Sequence, residues 1–220
     1  TAVGYQALAA LTDGLRNVSI GSGSMLANQT ADDNVAVGYD ALNDLTVDGN
    51  SRDTAVGNYS QQKITTGFYN TTIGYGSLGT ATTALYNTAL GQNAMGDVKA
   101  AVAVDGCVAV GNEALLGNSS NSTAVNGTVA IGKSALGALT TGSANTAVGF
   151  QTLDAVVGGS HNTAVGYNAL TTAAGNASHN TAVGRDALNN WNVNGDGNNT
   201  AVGSEAGVAL TTGTKSVAIG

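Results

Sequence analysis

One short pattern runs the length of the chain: a β-branched residue, a small residue, an aliphatic residue, then glycine. Indexed on that glycine it occurs thirteen times, at Gly4, Gly21, Gly38, Gly57, Gly74, Gly91, Gly111, Gly132, Gly149, Gly166, Gly184, Gly203 and Gly220. The intervals run from 17 to 21 residues, and 17 is the commonest. The β-branched position holds Thr in eight copies and Val in five. The aliphatic position holds Val in eight, Ile in four and Leu once, and Ala stands between them in eleven. Alternate residues of a strand share a face, and β-branched side chains suit a pleated surface. The pattern therefore predicts one three-residue strand per copy. On this reading the β-branched and aliphatic positions share a face with the core, and the small residue points the other way. So constant a small residue implies that something packs closely on it, either the rest of the same coil or a neighbouring chain.

Downstream of the glycine the pattern continues. The next residue is variable and often aromatic (Tyr5, Tyr39, Tyr75, Phe150, Tyr167). At plus three every complete copy has Ala, Ser or Thr; at plus four ten of twelve have Leu or Met, with Gln61 and Gly207 as exceptions. At plus seven an apolar residue is usual, as in Leu11, Leu45, Ile64, Val98, Leu139, Val156, Trp191 and Leu210. Apolar residues three apart suit either a helical turn or a second bent strand. Thr-Thr-Gly or Thr-Asp-Gly follows at 12–14, 65–67, 140–142 and 211–213, a turn in which glycine permits positive φ. Just before the strand stands Asn17, Asn34, Asn70, Asn87, Asn145, Asn162, Asn180 or Asn199, with Asp53 in one copy. Stacked copies would turn these amides into a hydrogen-bonded ladder; a turn-forming Asn at the start of the strand explains the same residue.

Self-similarity at such a period is the signature of a solenoid, in which each repeat is one coil stacked on the next. One coil buries about four apolar side chains, too few to stand alone against the entropy of ordering it, so stacking must supply the rest. The expectation is an all-β parallel β-solenoid, or β-roll, of about thirteen rungs of 17–21 residues. It spans 1–220 as a single continuous array. At a strand spacing of ~4.8 Å the rod would be on the order of 60 Å long.

Composition narrows the function. Glycine numbers 32 and proline 0, which excludes collagen. The net charge is −7, and the seven basic residues are scattered at Arg16, Arg52, Lys63, Lys99, Lys133, Arg185 and Lys215, so a nucleic-acid partner is not expected. No apolar run is long enough to insert in a membrane. Cys107 is the single cysteine and takes the place of the ladder Asn. It reads as a buried small residue rather than a reactive or intermolecular thiol. The array starts and stops in mid-repeat, as a piece of a longer fibre would.

The stretches TAVGYQAL at 1–8, NTAVGYNAL at 162–170, NTAVGRDAL at 180–188 and KSVAIG at 215–220 resemble the head repeats of trimeric autotransporter adhesins. They resemble still more closely the repeats of bacteriophage tail fibres and related bacterial surface fibres, which often precede an endosialidase-type chaperone domain. The resemblance covers the whole chain. It implies a homotrimer of parallel β-rolls about a threefold axis, located outside the cell on a virion tail fibre or bacterial surface. It also implies a structural or adhesive role and a host receptor or glycan as further partner. The coil here is longer than in the adhesin heads, and a single chain could also close on itself as a monomeric solenoid.

Candidate chemistry is sparse. His161 and His179 occupy the rung position of Tyr69 and Tyr86; as a stacked pair they could take a metal, but repetition alone predicts the same placement. The segment 192–197 reads NVNGDG and matches the first half of a calcium loop, yet Gly203 stands where the bidentate acid belongs. Nine Asn-x-Ser/Thr sequons, including those at Asn28, Asn118 and Asn176, follow from composition. No catalytic constellation, cofactor site or metal site is expected. Two lengthened rungs, at 97–106 and 118–127, would form loops on one face. A flat-faced glycan- or ice-binding solenoid is the rival function; it needs a regular Thr or aromatic ladder on an exposed face.

Overall fold

The computed structural model describes residues 1–98, 104–117, 125–173 and 175–220. Both lengthened segments, 97–106 and 118–127, lie partly outside these described residues. The chain is a parallel β-solenoid. Thirteen short strands, from Ala2–Val3 to Val217–Ile219, form one sheet in strict chain order, each paired in parallel with the strand of the next copy. The register is one-to-one: Thr163, Ala164 and Val165 lie beside Thr181, Ala182 and Val183. The glycine-indexed repeat is thus the coil itself.

The two faces of the sheet are opposite to the sequence expectation. Between the two terminal strands, Ala164 and its equivalents are fully buried inside the coil, whereas the flanking β-branched and aliphatic residues are half-buried or exposed on the outside. The reason is the narrow interior. Across from the sheet stand the plus-three residue and the Leu or Met at plus four, such as Ala169 and Leu170, both buried, leaving room only for a methyl group. The rest of the same coil packs on the alanine. Two copies replace it with a hydroxyl, and both meet hydroxyls at plus three: Ser19 bonds Ser24, and Thr72 bonds Ser60 at 2.6 Å.

No helix follows the glycine among the described residues. The stretch is a compact turn in which plus two and plus four take positive φ, for example Asp40 at 49° and Leu42 at 52°, or Asn168 at 51° and Leu170 at 54°. A left-handed leucine costs ~1–2 kcal/mol, and the bonding pattern shows what offsets it. The plus-two N–H donates back to the preceding rung (Asp40 to the Ser22 carbonyl, 3.0 Å). The plus-four N–H donates forward to the following rung (Leu42 to the Ser60 carbonyl, 3.0 Å). The alternation turns peptide groups along the rod, so even the turns are bonded rung to rung. The plus-seven residues Leu45, Ile64, Val98, Leu139, Val156 and Trp191 fill the far end of the core.

The indexed glycines sit at φ between +129° and +156°, a region closed to other residues. From Gly4 to Gly203, a Cβ on each would also strike the carbonyl of the next rung's glycine. The glycines of the Thr-x-Gly turns differ from expectation. Gly14, Gly67, Gly142 and Gly213 are not in the left-handed region; Gly14 and Gly67 are required because the carbonyls of Ala31 and Ala84 stand 2.6 and 2.5 Å from where a Cβ would be. Positive φ falls instead two residues further on, at Arg16, Tyr69, Ala144 and Lys215. A second, discontinuous side of the coil pairs Ala31–Asp32 with Gly49–Asn50 and Ala177–Ser178 with Gly195–Asp196.

Candidate functional site

Inside the coil the asparagines form a continuous hydrogen-bonded column on each side of one gap. Asn162 shows the unit. Its backbone N–H and its Nδ2 both donate to Oδ1 of Asn145, at 3.0 Å each, and Nδ2 donates again to the carbonyl of Ala177 at 2.7 Å. Its own Oδ1 accepts the same pair from Asn180, whose Oδ1 serves Asn199. The lower column runs from Asn17 through Asn34, Asp53 and Asn70 to Asn87. An amide that gives two bonds and accepts two is fully satisfied in a dry interior. The column therefore fixes both the rung spacing and the register.

The column is broken at Cys107 and Thr128. The Cys107 N–H still donates to Asn87 Oδ1 at 2.9 Å, but its thiol turns to the Val125 carbonyl at 3.1 Å, and the Thr128 hydroxyl has no partner. Cys107 is fully buried, and that burial pushes its thiol up to about 11. It is a buried small residue, as its place in the repeat suggested.

Outside, the sheet presents two parallel columns. One is Thr54, Thr71 and Thr88, then Val108 and Val129, then Thr146, Thr163, Thr181 and Thr200. The other is aliphatic throughout, with Ile73 48% and Ile131 38% exposed. The sequence pattern alone turns this face inward; the signal that places it outside is the small residue at plus three, which marks where the interior is tightest. The Thr column lies on the outer face but is interrupted by Val108 and Val129, and of Thr54, Thr71, Thr88, Thr146, Thr163, Thr181 and Thr200 only Thr71 and Thr163 are exposed.

A third column follows the coil edge at the left-handed position before each strand. Arg16 pairs with Asp33, and this bond and charge hold the Asp33 carboxyl below its ordinary range. Arg52 reaches Asp33 at 3.7 Å, donates to the Tyr69 hydroxyl at 2.7 Å and lies over the Tyr69 ring. Tyr69 stacks on Tyr86 at 5.2 Å, and His161 on His179 at 5.1 Å, with His179 Nδ1 3.0 Å from Asp196. The only acid of the calcium-like segment is thus engaged with a histidine. Tyr39, Tyr59 and Tyr75 also meet, but edge to face at 5.3 and 5.6 Å, which gives no single flat platform. The described residues enclose no cavity and gather no group of three potential metal-ligating side chains. No helix among them is long and apolar enough to cross a membrane.

Comparison with protein-family models, with curated proteins and with solved structures found no match.

Proposed function

We propose that this segment is the shaft of an extended homotrimeric fibre, a non-enzymatic spacer on a virion tail fibre or bacterial cell surface that serves attachment to a host or another surface. The observation that carries the reading is the outward aliphatic column of the thirteen-stranded sheet. A continuous apolar stripe of this length is a surface that association covers, and its rung-matched form suits an identical rod laid parallel to it. The resemblance of the repeats to those of trimeric fibres supports three copies. Adhesion to a receptor or glycan would then use the coil edge and the turns, which stay outside.

Sedimentation equilibrium on the folded chain tests this. The expected mass is three times the 21.5 kDa of one chain, and Val165→Lys on the outer face should give monomers that keep their β signal. A monomeric wild-type chain of full β content would refute the trimer. The outward runs Thr54–Thr71–Thr88 and Thr146–Thr163–Thr181–Thr200 are what a second reading would use, a monomeric flat-faced binder of glycan or ice. A monomer that inhibits ice recrystallisation or binds immobilised glycan would select it.

A further inference from the structure

We propose that Asp53 is a neutral carboxylic acid that acts as a hydrogen-bond donor in the amide column, and that its ionisation loosens the coil between residues 34 and 70. This makes one rung of the rod a pH-sensitive joint.

The argument starts from what the column requires at this position. At Asn70, Asn87 and Asn162 Nδ2 donates twice, once to the preceding Oδ1 and once to the carbonyl three residues before the next column member; Asn17 and Asn145 make the carbonyl bond alone. That carbonyl belongs to Ala31 for Asn17 (2.7 Å), Ala84 for Asn70 (2.8 Å) and Gly159 for Asn145 (2.8 Å). Asp53 reproduces the accepting half. Its Oδ1 takes the N–H of Asn70 at 2.7 Å and Nδ2 of Asn70 at 3.1 Å. Its Oδ2 stands in place of the NH₂ group, fully buried and without a partner. The groups an NH₂ would serve there are acceptors: Asn34 Oδ1 and, by register, the Gly67 carbonyl.

One of the two lost donors has been replaced. Ser51, buried in the same rung, donates its hydroxyl to Asn34 Oδ1, beside the Asp53 N–H at 2.8 Å. The other has not. A carboxylate would therefore hold a buried negative oxygen against carbonyl lone pairs, which is costly, whereas an O–H at Oδ2 supplies the missing donor. Burial raises the Asp53 carboxyl to about 7, opposed only by its bonds from Asn70. No charge faces it. Arg52, next in sequence, turns outward to Asp33 and Tyr69; Arg16 is engaged with Asp33, and Lys63 pairs with Asp44 on the exposed surface.

The sign follows from linkage. Unfolded, the carboxyl titrates near ~3.9; folded, near 7. The stabilisation is complete below the unfolded value, falls as the pH rises between the two, and is lost once the pH passes about 7.

Native-state hydrogen exchange from pH 5 to 9 on the whole chain and on Asp53→Asn tests the proposal. The wild-type amides of Thr54, Asn70 and Thr71 should lose protection relative to the variant by about tenfold per pH unit up to pH 7 and level off above it. The rungs around Asn162 and Asn180 should match in the two proteins. Carbon-13 titration of the wild-type carboxyl gives an independent reading. An Asp53 that titrates in the ordinary carboxylate range, or a difference between the proteins that does not change with pH, overturns the proposal. So does a variant less protected than wild type at every pH.

Discussion

Replacing Gly38 with alanine should open the coil locally and by more than an average substitution. Two terms add. At φ +142° an L-residue is strained by ~1–3 kcal/mol. The new Cβ would lie 2.5 Å from the Gly57 carbonyl oxygen, and ordinary contact begins at 3.4 Å, so the rungs must part by the difference. The adjoining bonds, Gly38 N–H to the Ile20 carbonyl at 2.8 Å and Gly57 N–H to the Val37 carbonyl at 2.7 Å, would be stretched or misaligned; at ~1 kcal/mol each they add ~2. The total is ~3–5 kcal/mol, against ~1 for a typical point mutant. Gly106→Ala is the control: its φ is +65°, a Cβ there meets nothing within 4 Å, and Ala144 already holds the same rung position at 55°. A solenoid need not unfold as one unit, so the assay is hydrogen exchange over residues 35–57 together with a denaturant midpoint. Equal losses for the two variants would refute both the strain and the contact argument.

Asn162→Ala should cost ~3–5 kcal/mol, because it strands the N–H and Nδ2 of Asn180 and the Ala177 carbonyl in a dry interior; exchange at residues 163–181 is the readout, and unchanged protection would remove the column from the stability of the coil. Cys107, buried and with its thiol pushed up to about 11, should resist a thiol reagent at pH 8 in the native chain and react once denaturant is added; rapid native labelling would contradict its placement.

The period, the strands and the two columns were legible because repetition multiplies a weak signal thirteen times. Asn162 alone says little; Asn at the same offset in eight copies says that something stacks. What could not be read were features set across the coil. A three-residue strand divides its side chains between two faces without saying which is inner, and the habit of putting Val and Ile inside fails where Leu170 leaves room only for Ala164. The left-handed Leu42 gives no sign of itself in sequence, since leucine does not favour that conformation; the forward bond to Ser60 imposes it. The Thr-x-Gly glycines misled for a related reason: Gly67 is needed for the Ala84 carbonyl in the next rung, not for the shape of its own turn. Asp53 was visible as a substitution in the amide series, but its unpartnered oxygen depends on the acceptors that rungs above and below turn toward it.

The axial direction of the bonds has a mechanical side. A pull on the two ends of the rod loads its rung interfaces in series, so each interface bears the whole force and their strengths do not add. Lengthening the array extends its reach without raising the tension it survives. That tension is set at the feeblest interface, and at Cys107 and Thr128 the rungs are held without the side-chain bonds that the amide column gives its neighbours.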